Sequence, residues 1–303
     1  MSNQCLSDLL KATFNREGEK IAVSFLRNGR VETEISYFDL DRDANRLANT
    51  LLDWGIKKGD RVILFLPKSM FFLVAYLALL KIGGIAIPIN PDYQKTEMSY
   101  LLKDADASLV LAGKAQKPLI EEIAFDTALK AIDTELPYHE IELFQTAPEN
   151  PPNIDLTPSD IGLILYTSGT TGHPKGVMLT NQNLVHDALK IINTWEISGS
   201  DVLCHTLPLF HIHGLCFALN TALIAGSKVV MFDAFSPEKV LNVLSGKKLE
   251  HRCTVFMAVP TMYEKLLHTA QDRELDFKHM RLWTSGSAPL LPKDFTRIQE
   301  VFG

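Results

Sequence analysis

YTSGTTGHPKG, residues 166–176, is the stretch on which the reading of this chain turns. Its eleven positions hold three glycines, one proline, one lysine and four small hydroxyl residues, Thr167, Ser168, Thr170 and Thr171. So little apolar surface and so many polar groups suit an anion better than a packed core, where every polar group needs a partner. The flanks at 161–165 and 177–179 are short apolar runs of strand character, so the segment reads as a loop between strands. Backbone N–H groups around Gly169 and Gly172 can approach a phosphate closely, the hydroxyls add donors, and Lys175 adds positive charge. Hydrogen bonds to a charged acceptor are worth roughly 1.5–3 kcal/mol each, so a handful holds a triphosphate. A Walker A loop requires Gly-Lys-Ser/Thr ahead of a helix; here Pro174 precedes Lys175 and Gly176 follows it, which excludes the ordinary nucleotide loop.

Upstream, a strand over 61–66, an apolar helix over 69–82 stopped by Gly83-Gly84, and a strand over 85–89 make a βαβ unit. That order implies parallel strands and a right-handed crossover. A helix over 95–104 and a strand over 108–112 extend the pattern. Nearer the start, a helix over 6–14, a hairpin of 21–25 and 31–35 across Asn28-Gly29, and an amphipathic helix ending at Gly55 are expected. Residues 149–158, ENPPNIDLTP, read as a linker. Downstream, Thr180 caps a helix whose face is Leu184, Val185, Ala188, Leu189 and Ile192, and strands are expected over 202–206, 229–232 and 255–259 with helices over 215–224 and 237–244 between them. The fold class is α/β, doubly wound.

Composition narrows the function. At 303 residues the chain exceeds one ordinary core, so two lobes or one large α/β unit are expected. A net charge of −6 argues against a nucleic-acid surface. Four cysteines without close spacing give neither a disulfide framework nor a zinc site, and a reducing cytoplasm fits them. The most apolar run, residues 70–80, is too short to span a bilayer, and residues 1–10 hold no basic region followed by an apolar core, so a secretory signal is not expected.

Two further stretches carry chemistry. In LPLFHIHG, residues 207–214, His211 and His213 stand at a strand end. A His-x-His pair can bind a metal, orient a carboxylate or simply be hydrogen-bonded where lobes meet, and no third metal ligand lies beside it. In WTSGSAPL, residues 283–290, a Gly/Ser turn follows strand-like residues 280–282 and precedes a helix over 292–302. The backbone amides of Gly286, Ser287 and Ala288 can line a base, or the segment is an ordinary strand-to-helix turn.

Taken together, YTSGTTGHPKG, LPLFHIHG and WTSGSAPL resemble the adenylate-forming superfamily of acyl- and aryl-CoA synthetases, luciferases and adenylation domains, nearest in wording to malonyl-CoA synthetase-like members. Residues 36–62 and 77–91 are similar to the same family's early segments. The resemblance implies two interleaved α/β subdomains with mainly parallel sheets, one over 60–195 and one over 1–59 with 200–303. It implies that Thr167, Ser168, Gly169, Thr170, Thr171, Gly172 and Lys175 wrap the β- and γ-phosphates of ATP, and that Gly286, Ser287, Ala288 and Pro289 lie against adenine. His211 matches the histidine beside the acyl pocket, with His213 and Trp283 expected near the substrate. The implied reaction uses ATP, Mg²⁺ and coenzyme A to convert a carboxylic acid to an acyl-adenylate and then a thioester. The family's Tyr-Gly-Met-Thr-Glu motif and C-terminal lid domain would follow Gly303, so the chain is expected to be an N-terminal part with little complete turnover. Ala234 stands where many CoA-forming relatives have lysine before the match to Phe235, and Thr296 and Arg297 displace by one position a basic residue of the malonyl branch. An amino-acid adenylation domain and a non-catalytic nucleotide-binding module are the alternative readings. Against the first, no aspartate accompanies His211 to hold an amine.

Overall fold

The computed structural model describes residues 4–123, 127–167, 174–246, 252–271 and 273–303. In chain order, α1 (Leu6–Glu17) leads to the hairpin β1 (Ile21–Arg27) and β2 (Arg30–Ser36), then α2 (Tyr37–Asp53), β3 (Arg61–Phe65), α3 (Met70–Ile82) and β4 (Ile85–Pro88). Next come α4 (Lys95–Ala105), β5 (Leu109–Gly113), α5 (Lys117–Ile123), β6 (Ala128–Ile132), β7 (Ile161–Thr167), β8 (Lys175–Thr180) and α6 (Asn181–Trp195). The last part holds β9 (Val202–His205), a π-helical stretch over His213–Asn220 that runs into α7 (Thr221–Ala225), β10 (Lys228–Phe232) and α8 (Pro237–Leu244). β11 (Val255–Ala258), α9 (Pro260–Ala270), β12 (Leu282–Ser285) and α10 (Pro292–Phe302) complete it.

The chain divides into two compact units, Met1–Lys20 with Ser36–Asp187, and Ile21–Ile35 with Ala188–Gly303. The division differs from the expectation of 60–195 against 1–59 with 200–303. Of the early residues only the hairpin joins the second unit, because β1 pairs with β10 from Val23↔Val229 to Leu26↔Phe232. Helices α1 and α2 stay with the first, where the Phe14 and Tyr37 rings meet at 5.5 Å. Residues 149–158 also stay within the first unit and mark no boundary. There Asn49 Nδ2 donates to the carbonyls of Pro148 and Asn150 at 2.8 and 2.9 Å, and Lys58 Nζ reaches Asp160 at 2.7 Å.

The first unit carries a sheet in the order β6-β5-β3-β4-β7-β8, parallel except that β8 runs back along β7. Its central helix α3 is apolar on nearly every face and buries all but one of its residues. Ser69 caps it by accepting from Phe72 N–H at 3.2 Å, Gly83 closes it in the left-handed conformation, and the one charged residue, Lys81, reaches out to Asp41 at 2.7 Å. Burying a large apolar side chain stabilises by about 1.5–3 kcal/mol, so this helix anchors the unit. The second unit carries the order β12-β11-β9-β10-β1-β2, with β1, β10, β9, β11 and β12 mutually parallel. Its core lies under β9–β12 against α8, α9 and α10.

Candidate active site

In open parallel sheets, ligands gather beyond the carboxyl ends of the strands. Within the first unit, β7 and β8 pair with Thr167 opposite Lys175 and Tyr166 opposite Gly176, so the two flanks of the hydroxyl-rich loop face each other. Thr167 and Lys175 are exposed, and among the described residues Lys175 has no ion-pair partner. Two tyrosines steady this end: Tyr100 donates to the Pro174 carbonyl at 3.1 Å, and Tyr166 to Asp104 Oδ2 at 2.7 Å. Burial and the neighbouring Asp104 carboxylate raise the Tyr166 phenol well above its ordinary value, so it stays a donor. Ser168, Gly169, Thr170, Thr171 and Gly172 lie outside the described residues.

Within the second unit, the segment after β9 folds tightly. A Cβ added to Gly214 would sit 2.1 Å from the Pro208 carbonyl oxygen, so only glycine fits there. The Gly214 carbonyl accepts from Nε2 of the fully buried His205 at 2.9 Å, which fixes that histidine's tautomer. His211 stays exposed with its ring 4.5 Å from that of Phe210, whereas His213 is buried with its ring 6.0 Å from Phe217. Desolvation by burial lowers the pKa of His213, so the ring is neutral at neutral pH.

The turn after β12 meets this histidine. Gly286 N–H donates to the Ala258 carbonyl at 3.1 Å, and Tyr263 donates to the Thr284 carbonyl at 2.9 Å, tying the strand end to β11 and α9. A Cβ on Gly286 would lie 3.2 Å from Cε1 of His213, so the missing side chain admits the imidazole. Nδ1 of His213 and Oγ of Ser287 stand 3.0 Å apart. Ser287 itself is held at a φ of +65°, in the left-handed region. Ala288 and Pro289 are exposed.

Trp283, expected near the substrate, lies on β12. Its half-buried indole packs against the core, stacked on Phe302 at 5.1 Å and edge-on to Phe277 and Phe256 at 5.5 and 5.9 Å. The cause is a shifted strand: β12 runs from Leu282 to Ser285 instead of over 280–282, so Trp283 is a pleated strand residue opposite Phe256 and not part of the turn. His205 and Tyr263 were missed by sequence reasoning. A lone histidine in a strand and a tyrosine on a helix carry no signal that they support a site.

Among the described residues no group of three or more His, Cys, Asp or Glu gathers, and no helix is long and apolar enough to cross a membrane. The two sheets and their strand-end glycine turns define an α/β fold of the acyl-CoA synthetase type. The ATP-bound MatB of Rhodopseudomonas palustris matches it with a TM-score of 0.88 and 33% identity, over 100% of this chain and 58% of that one. The chain belongs to the AMP-binding enzyme family, whose model matches residues 10–303. It is 31% identical to the oxalate–CoA ligase of Arabidopsis thaliana and 27% identical to a long-chain-fatty-acid–CoA ligase of Bacillus subtilis, each match covering 100% of this chain. The chain spans 59% of the length of each of those two ligases.

Proposed function

We propose that this chain supplies the nucleotide- and acid-binding part of an AMP-forming acid–thiol ligase. A carboxylate oxygen attacks the α-phosphorus of ATP, the bond to the bridging oxygen breaks, and pyrophosphate leaves with an acyl-adenylate formed. The thiolate of coenzyme A then attacks the acyl carbon and expels AMP. The observation that carries this reading is Lys175, an exposed cation without an ion-pair partner among the described residues, at the edge of a loop rich in hydroxyls and glycine. Lys175 and the loop residues Thr167 to Gly172 take the β- and γ-phosphates and so hold the leaving pyrophosphate, which is electrostatic positioning more than covalent chemistry. Gly286, Ser287, Ala288 and Pro289 lie against adenine.

Mg²⁺ would be carried on the phosphates, as is usual for this metal, and would supply charge there. His211 stands at the surface end of its segment and orients the acid. Two relatives act, by their names, on acids as unlike as oxalate and a long-chain fatty acid, so the acid is taken as a carboxylic acid without an α-amine. The four cysteines are buried and form no disulfide, which supports a reducing, cytoplasmic setting.

The test is calorimetric titration of the chain with ATP and with inorganic tripolyphosphate, followed by ATP–pyrophosphate exchange against short dicarboxylic, fatty and aryl acids. Lys175→Ala is expected to weaken ATP about tenfold and AMP far less; equal losses would remove the lysine from the phosphates. His211→Ala should reduce exchange while sparing ATP affinity, and a large loss of ATP affinity would move His211 out of the acid site. ATP binding with no exchange for any acid would favour a nucleotide-binding module.

A further inference from the structure

We infer that His213 is a positioning residue for the nucleotide: by bonding Ser287 it holds the Gly286–Ala288 turn in the shape that meets adenine, and it does not touch the acid. This rests on the reading that the turn receives the base.

Three observations carry it. The Nδ1 atom of His213 is engaged by the Ser287 hydroxyl at 3.0 Å, and the ring around it is buried. The close approach is built in from the other side, because the glycine at 286 is what lets Cε1 come near. Ser287 adopts a left-handed φ of +65° that a non-glycine residue holds only when its surroundings fix it. The backbone of the turn is bonded to β11 through Gly286 N–H, so the histidine supplies the tether on the side-chain side.

The histidine is itself held in place. His205 grips the Gly214 carbonyl at 2.9 Å, directly after His213, and Gly214 is packed against the Pro208 carbonyl. The alternation along 211–213 then separates two tasks. His211 is at the surface, where a substrate reaches it, and His213 is turned inward to the turn.

The experiment is a double-mutant cycle with His213→Ala, Ser287→Ala and the double variant, together with His213→Asn, whose amide can reach the position of Nδ1. Each single change is expected to weaken ATP about tenfold in calorimetric titration, the double change no further, and His213→Asn to recover most of the loss. Tripolyphosphate, which lacks the base, should bind all four variants as it binds the parent. In the ligand-free protein, Ser287→Ala should shift the ¹⁵N resonance of His213 Nδ1. Additive losses, equal losses for ATP and tripolyphosphate, or an unmoved Nδ1 resonance would overturn the inference while leaving nucleotide binding intact. A parent chain that does not bind ATP would overturn the nucleotide reading and this inference with it.

Discussion

The two strand ends that carry the candidate chemistry are built to opposite rules. At the end of β7, Thr167 and Lys175 are exposed, β8 presents Val177 and Met178 to solvent, and two tyrosine hydroxyls tether the described residues there. At the end of β12, the turn is bonded to β11, to α9 and to a buried histidine, above an aromatic core. A phosphate chain is recognised by charge, which acts over several ångströms, whereas a flat base is recognised by surface, which must be in place. Function and stability are therefore expected to separate in the first region and to be bound together in the second.

The hardest test of that contrast is Gly214→Ala. The added Cβ would meet backbone, the Pro208 carbonyl oxygen at 2.1 Å, and backbone cannot swing aside as a side chain can. Overpacking of this kind costs typically 1–3 kcal/mol, and displacing the carbonyl that His205 holds adds to it, so a loss of roughly 3 kcal/mol is expected in urea unfolding. A loss under about 0.5 kcal/mol, the range of ordinary surface changes, would show that residues 207–214 relax freely and that the second region is not rigid.

Next in size is Asp201→Asn. The buried Asp201 carboxylate accepts from Arg281 at 2.7 and 2.9 Å, from Ser198 N–H at 2.9 Å and from the Thr254 hydroxyl at 2.8 Å, which locks the strand ends opposite the turn. Burial alone would raise its pKa, but these hydrogen bonds outweigh it and hold the carboxyl below its ordinary value. A depressed folded value means that the stabilisation is fully present above the unfolded pKa of about 3.9 and is lost as pH falls through the folded one. Asp201→Asn should therefore cost about 2 kcal/mol at neutral pH, with the gap to the parent closing as pH drops below about 4. Denaturation midpoints at pH 7 and pH 3 measure this, and a gap that stays constant would mean the carboxylate charge contributes nothing.

Lys175→Ala should separate the two properties. Its expected tenfold loss of ATP affinity should come with a change in unfolding free energy within about 0.5 kcal/mol, since the side chain is exposed and has no ion-pair partner among the described residues. A stability loss above 1 kcal/mol would make the lysine a structural element of the β7–β8 hairpin.

The same contrast explains what the sequence revealed. Elements set by local chemistry were legible: the mostly apolar helix stopped at Gly83, the βαβ order of β3, α3 and β4, and α10 beginning at Pro292. The strands flanking the loop were also legible, because apolar runs meet glycine and proline there. What depended on distant pairing was not. β12 was misplaced, by two residues at its start and three at its end, because Thr284 and Ser285 read as the opening of a Gly/Ser turn and are drawn into the sheet by pairing with Met257 and Ala258 of β11. The π-helical stretch over His213–Asn220 has an ordinary helical pattern. The bond between His213 and Ser287 spans 74 positions, and no local rule anticipates it. Nor does any local rule tell the exposed His211 from the buried His213 two positions on.

The smallest expected effect isolates that bond from the strain it accompanies. Ser287→Gly removes a hydrogen bond worth about 1 kcal/mol and relieves a left-handed φ that costs a non-glycine residue about the same. The two terms oppose each other, so stability should stay within about 0.5 kcal/mol of the parent. Ser287→Ala removes the same bond and keeps the strain, so it should be the less stable of the pair by about 1 kcal/mol. If the turn is held for the base, both variants should lose ATP affinity by similar factors despite their different stabilities. A glycine variant that gains a full kilocalorie would mean that the bond to His213 stabilises nothing, and the turn would then be shaped by β11 and α9 alone.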